Sequence, residues 1–332
     1  HILGLHNRVD HCFFSGKSNL GVVLSINFSI NQPNYHRIEH NYFGPRSYLG
    51  INGCETIRIG DSTQSSQISR TTVAHNLFEG CSGEAEIITN KSCENYFQSN
   101  TFRKCQGALT LRHGDRSVVE GNFFLGEGEK STGGVRVIGE GHRIWNNYFC
   151  DLTGSGARAA LSIHNGVPNS PVGLYHQVKD LEVAHNTFVN NHQNVLVGYY
   201  RGKDGAVLPP VRTVIANNII WGKSAPLIQL DEKEAEIKYE GNIFFGAKTG
   251  LPTSEGIRFI DPSLRKDKMG LYRLRIDSVA RAKAKGSYPK ITRDMDGQKR
   301  PRKKDIGADQ YSREPIALRP LTTNEVGPAW KR

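Results

Sequence analysis

Two glutamates stand two residues apart in Gly83-Glu84-Ala85-Glu86-Ile87-Ile88. On a strand, that spacing puts both carboxylates on one face. Like charges this close repel unless a cation lies between them, and hard oxygen donors suit Ca2+. Upstream, Asn52 in Ile51-Asn52-Gly53 offers an amide oxygen as a third ligand. The bland alternative for any Glu-x-Glu is a solvated surface pair. Against it stand Lys91, Arg112 and Arg136, which follow on later segments of the same pattern. An acidic pair beside a row of cations points to a bound cation together with an anionic ligand.

Such residues need a scaffold that returns to one face again and again, and a repeat supplies it. The unit is apolar-x-x-Asn-x-aromatic, with its asparagine at Asn41, Asn76, Asn100, Asn122, Asn147, Asn186, Asn218 and Asn242. Cys12 holds the equivalent place in an earlier copy, and the last position of the unit is Ile220 in one copy. The spacings are 35, 24, 22, 25, 39, 32 and 24 residues. A base period near 22–25 with insertions fits a coil of short strands and turns. The expected fold is all-β, a single-stranded right-handed parallel β-helix. Its coils satisfy one another's backbone groups at the roughly 4.8 Å strand spacing. The asparagine is expected to adopt a left-handed conformation and form an internal ladder, with the aromatic two residues later stacking inward.

Alternation along the second strand of each coil turns Ala85, Ile87, Leu109, Leu111, Val135, Val137, Leu161 and Ile163 inward. Glu84, Glu86, Thr110, Arg112, Arg136, Ser162 and His164 then form one outer stripe. His113 is expected to point away from Arg112 unless a bulge intervenes.

Composition sets outer limits. The chain has 332 residues, 35 Gly, 37% hydrophobic and 23% charged residues, and a formal charge of +11. No apolar run reaches the roughly 18–20 residues of a membrane span, and heptads are absent. Short blocks of Val, Ile and Leu exclude long disorder as the main state. The low apolar share and many glycines fit a narrow solenoid core with frequent turns. The six cysteines lack metal-ligand spacing and read as free thiols. The repeat gives one β-helix over 1–250, which carries the candidate site, and an irregular closing segment of the same domain over 251–332. The run Lys299-Arg300-Pro301-Arg302-Lys303-Lys304 reads as a solvated loop, since no interleaved aromatics accompany it. Neither nucleic acid nor a membrane is expected as a partner.

Several long stretches resemble polysaccharide lyase family 6, which contains alginate lyases and chondroitinase B. They are Asn52 to Gly60, Gly83-Glu84-Ala85-Glu86-Ile87-Ile88-Thr89-Asn90-Lys91-Ser92 and Leu109-Thr110-Leu111-Arg112-His113-Gly114. Gly121 to Gly126, Gly133 to Gly139 and Asn165 to Ser170 continue the likeness, which runs from about His6 to Trp330. The resemblance implies a parallel β-helix, in agreement with the repeat. It implies a Ca2+ held by Asn52, Glu84 and Glu86, with Lys91 as catalytic base and Arg112 as catalytic acid. It also implies that coils preceding His6-Asn7-Arg8-Val9-Asp10-His11 are missing, and a secreted or periplasmic location.

The implied reaction is β-elimination on an anionic polysaccharide. The proton at C5 of a uronate is removed and the 4-O-linked sugar leaves. Arginine holds its proton at neutral pH, so Arg112 suits the leaving oxygen better as an electrostatic stabiliser or through a water. Arg136 can clamp a neighbouring carboxylate. His113, His164 and Tyr199 are further substrate-binding candidates, with Tyr200, Arg201, Arg46 and Arg58 behind them. Alginate is the expected substrate and dermatan sulfate the alternative. Two other classes stay open: a β-helix glycoside hydrolase, which leaves Lys91 and Arg112 without a role, and a non-catalytic carbohydrate-binding β-helix.

Overall fold

The computed structural model describes residues 1–29, 31–252 and 254–328. Ala329 and Trp330, at the end of the matching stretch, lie outside the described residues. The described chain winds into three long sheets of nine, ten and eight strands, every pair of neighbours within them parallel. Strands that neighbour one another in a sheet lie one coil apart in the sequence, which is the topology of a parallel β-helix.

The asparagine ladder sits at the corner between the first and second sheets. Each backbone N–H and each Nδ2 donates to the Oδ1 of the asparagine one coil on, from Asn41 to Asn242, at 2.8–3.1 Å. At the earlier copy, Cys12 needs only its backbone N–H to join, donating to Asn41 Oδ1 at 2.9 Å.

The left-handed residue, however, is the one before each asparagine. His40, His75, Ser99, Asn146, His185 and Asn217 have φ of 53–56°, and Gly121 and Gly241 have 65°. The sharp turn is made one residue early, and the asparagine that follows aims its amide into the stack. Two residues after each asparagine, Phe43, Phe78, Phe102, Phe124, Phe149 and Phe188 stack nearly parallel in the interior, with centroids 4.6–4.8 Å apart. Phe149→Leu keeps the burial but removes two ring faces. It should lower stability by about 1–1.5 kcal/mol, read from the denaturant midpoint at unchanged slope.

The residue between asparagine and aromatic faces outward, yet Leu77, Phe123, Tyr148, Ile219 and Ile243 at that position are buried. The chain after the coils covers them. The parallel ladder runs on to Ile257–Phe259, past the expected boundary at 250. The chain then returns along the outer face of the second sheet, where Leu271, Met295 and Ala308 pack on Phe123, Tyr148 and Val189. Val326 packs on Tyr42 and Leu77. This segment is pinned by Arg300, which is buried and donates to the carbonyls of Gly307 and Ala308 and to Asn146 Oδ1. All six cysteines are free, five of them buried.

Candidate active site

The third sheet carries the stripe. Its strands Glu86–Lys91, Ala108–His113, Val135–Val137, Leu161–His164 and Val195–Tyr199 lie side by side on successive coils. Simple alternation holds in the middle, where Thr110, Arg136 and Ser162 share one register row. At both ends it fails. Glu86 pairs with Ala108, but Ile88, not Ile87, pairs with Leu109, because a register shift intervenes. The core position in line with Ile57 and Leu109 is therefore Ile88, and Thr89 continues the outer row. Ile87 is buried as well, while Ala85 is only half-buried, so the expected inward Ala85–Ile87 pair is corrected to Ile87 and Ile88.

A second shift lies between Leu111 and His113 and sets His113 opposite Lys91. It turns Arg112 and His113 to the same side, with Arg112 Nη1 and His113 Nδ1 3.3 Å apart. Burial, followed by the charges of Arg112, Lys91 and His176, depresses the His113 pKa far below that of free histidine. A neutral imidazole among three cationic or titratable neighbours can accept or orient a hydrogen bond without adding charge.

The outer residues are closely linked. Glu86 accepts from Arg136 Nη1 at 3.1 Å and from Thr89 Oγ1 at 2.5 Å. Arg136 Nε donates to His164 Nε2 at 2.8 Å. His164 is fully buried, and burial with the charges of Arg136 and Arg112 holds its pKa well down, so it accepts as a neutral ring. Tyr199 meets His164 edge-on at 4.9 Å, and Tyr200 lies over it at 5.7 Å. Arg201 is tied to Glu232 at 3.0 Å and Tyr200 to Asp204 at 2.6 Å.

Glu84 stands at the edge of this group. Its Oε1 accepts from the backbone N–H of Gly53 at 2.9 Å and of Cys54 at 3.0 Å. Burial, then the charges of Glu55 and Glu86, raise its pKa to about 7 against those two bonds. Glu55, which the sequence reading passed over, is buried with an Oε2 that has no hydrogen-bond partner among the described residues. Excess buried carboxylate oxygen with too few donors fits a hard divalent cation. Asn52 is exposed on the same turn and hydrogen-bonds neither glutamate among the described residues; the turn's backbone does so instead.

One contributor had no signal in the repeat. The chain between His164 and Leu181 leaves the coil as a flap, fastened at its base by reciprocal hydrogen bonds between Gly166 and Leu208. It brings Tyr175 onto the Arg112 guanidinium, with 4.2 Å from Cζ to the ring centre. The same ring stacks on His164 at 5.2 Å. Burial lowers the Arg112 pKa from its ordinary value, opposed by Tyr175 and Glu86. Arg46, in contrast, is no groove residue: it is buried and donates to the carbonyls of Cys54, Glu55, Asn19 and Gly21. Tyr175→Ala should lower any turnover that depends on Arg112 by about tenfold, as the guanidinium loses its stacking surface, while the melting temperature stays close to wild type. Tyr175→Phe should keep most of the activity; a matching loss in both variants would place the effect in the hydroxyl instead.

The family model for chondroitinase B matches residues 1–284. Among solved structures, the PL6 family alginate lyase AlyGC is 33% identical, with a TM-score of 0.83, over 98% of this chain and 41% of that one. A mannuronic acid specific polysaccharide family 6 lyase from human gut microbiota is 34% identical, with a TM-score of 0.71, over 78% and 60%. The PL6 family polysaccharide lyase Pedsa3628 from Pseudopedobacter saltans is 25% identical, with a TM-score of 0.64, over 99% and 72%. This chain thus spans less than half the length of AlyGC. No curated protein sequence matches it.

Proposed function

Because this chain belongs to polysaccharide lyase family 6, the family of chondroitinase B, we propose that it cleaves a uronate-containing polymer, alginate first, by β-elimination. The observation that carries the reading is the coincidence of Glu86, Lys91, Arg112, His113 and Arg136 on adjoining strands of one sheet, with Glu84 at their edge, in a chain whose structural relatives include alginate lyases.

Lys91 takes the C5 proton. The C5–H electrons form the C4–C5 double bond, the C4–O4 bond breaks, and O4 leaves with a proton supplied from Arg112 directly or through a water on it. Burial beneath Tyr175 shifts Arg112 in the direction a donor needs. Glu84 and Glu86, with Asn52, would hold Ca2+. That ion would supply Lewis-acid stabilisation of the negative charge that builds on the substrate carboxylate. Arg136, already oriented by Glu86 and His164, presents its remaining N–H groups to a neighbouring carboxylate. Tyr199 lines the surface beside it, while the buried rings of His113 and His164 position Arg112 and Arg136 from beneath. A secreted or periplasmic location follows from the same reading, since such polymers lie outside the cell.

The test is incubation with alginate, its mannuronate and guluronate blocks, and dermatan sulfate, with and without chelator. Ultraviolet-absorbing unsaturated ends are expected from alginate, lost on chelation. Saturated ends would make the protein a hydrolase, and no cleavage of any polymer would overturn the enzyme reading. Cleavage of dermatan sulfate alone would replace the substrate. Full activity in chelator would remove Ca2+ from the mechanism.

A further inference from the structure

At the other end of the Leu161–His164 strand from the flap lies a feature outside the stripe. Residues Ser155–Arg158 form a tight turn just before the Leu161–His164 strand, fixed by Gly156 N–H on Gln193 Oε1 at 2.8 Å and by Arg158 N–H on Ser155 O at 3.1 Å. The turn rests on the site: a Cβ at Gly156 would lie 3.0 Å from the Tyr199 ring. From there Arg158 packs on the start of the preceding coil, where Gly133 leaves room for it: a Cβ at Gly133 would fall 3.0 Å from Arg158 Cα. The guanidinium reaches the ring of Tyr48, 5.8 Å from its centre. Tyr48 is 54% exposed and belongs to the loop that hydrogen-bonds Gly83, next to Glu84, through Leu49 N–H at 2.9 Å.

Arg158 has no carboxylate partner among the described residues, and its Nε is buried without a hydrogen bond. Its chain therefore bridges the two ends of the site, from Tyr199 to the Glu84 coil, and carries an uncompensated charge beside an exposed aromatic ring. A planar cation that pairs with carboxylates, next to a half-exposed aromatic ring, is what recognition of an acidic sugar requires.

We propose that Arg158 and Tyr48 form a second uronate subsite, which binds a sugar of the same polymer away from the cleaved bond, its carboxylate on Arg158 and its ring on Tyr48. The inference rests on the polyuronate reading above. It predicts a dependence on chain length: only oligomers long enough to reach Arg158 gain from it.

The experiment measures KM and kcat for a ladder of alginate oligosaccharides with wild type, Arg158→Gln, Arg158→Lys and Tyr48→Ala, each checked by thermal melting. Arg158→Gln should raise KM about tenfold for long oligomers and leave the shortest cleaved one unaffected. Arg158→Lys should recover part of the loss, and Tyr48→Ala should raise KM for the same long oligomers. KM unchanged at every length overturns the subsite, as does an equal change at all lengths with a lowered melting temperature, which marks a structural role. If wild type cleaves no oligomer, the lyase reading fails on its own. Calorimetric binding of the longest oligomer to wild type and Arg158→Gln then decides the subsite: weaker binding by the variant supports it, and equal or absent binding removes it.

Discussion

Lys91→Ala should lower turnover of alginate by about 10²–10⁴-fold, the span a positioned general base contributes, with KM changed only a few-fold. Lys91 is the last residue of its strand and lies opposite His113 across the bulged pair. It is half-buried and makes no ion pair with Glu86, whose oxygens are held by Arg136 and Thr89. Lys91→Arg makes the sharper comparison, because it keeps the charge but cannot lose its proton at neutral pH. Both variants should lose at least about 10²-fold, and Lys91→Ala should melt near the wild-type temperature because its half-buried side chain makes no hydrogen bond or ion pair among the described residues. Turnover within tenfold of wild type in Lys91→Arg would remove Lys91 as the base. The rate is read from the absorbance of unsaturated ends at saturating polymer.

What could be read from the residues divides along a physical line. The ladder and the aromatic stack were legible because every coil must solve the same problem with the same side chain, so periodicity survives insertion and deletion. The cationic stripe was legible for the same reason through Thr110, Arg136 and Ser162, where the strands are regular. The two register shifts between the Glu86–Lys91 and Ala108–His113 strands were not, since period-two alternation assumes a regular strand. They decide that Ile88 enters the core line and that His113 joins Arg112. The left-handed turn was placed one residue late because the repeated asparagine tolerates that conformation well, whereas here the residue before it carries the turn, whether histidine, serine, asparagine or glycine. Tyr175 had no repeat to betray it: it lies in the insertion that stretches one spacing to 39 residues. Its partner Arg112 was identified, but the ring above it comes from a loop whose path only packing determines. Arg46 shows the opposite case: its nearness to Asn52 makes it a weak candidate for the groove, but four carbonyls already claim it.

Asn147→Ala should cost about 4 kcal/mol of stability, more than any other single change argued for this molecule. Asn147 is fully buried, and its amide oxygen accepts both the backbone N–H of Asn122 at 3.0 Å and the Asn122 Nδ2 at 2.9 Å. Its own Nδ2 donates to Asn186 Oδ1 at 3.0 Å and to Val119 O at 2.9 Å. Truncation therefore strands a backbone donor and weakens three further groups in a site without room to reach bulk water. An unmade buried bond costs about 1–3 kcal/mol each, so the loss exceeds the few tenths expected of an exposed asparagine such as Asn169. Cys12 shows when the amide can be spared: its backbone N–H donates to Asn41, and no described residue donates to its side chain. Asn147→Cys should therefore be nearly as damaging as Asn147→Ala, because Asn122 still needs the missing acceptor. The measurement is the urea midpoint with the slope held as a check, since a lowered slope would signal that the coils on either side of the break unfold separately. A loss below about 1 kcal/mol would mean that the ladder sets register without contributing to stability.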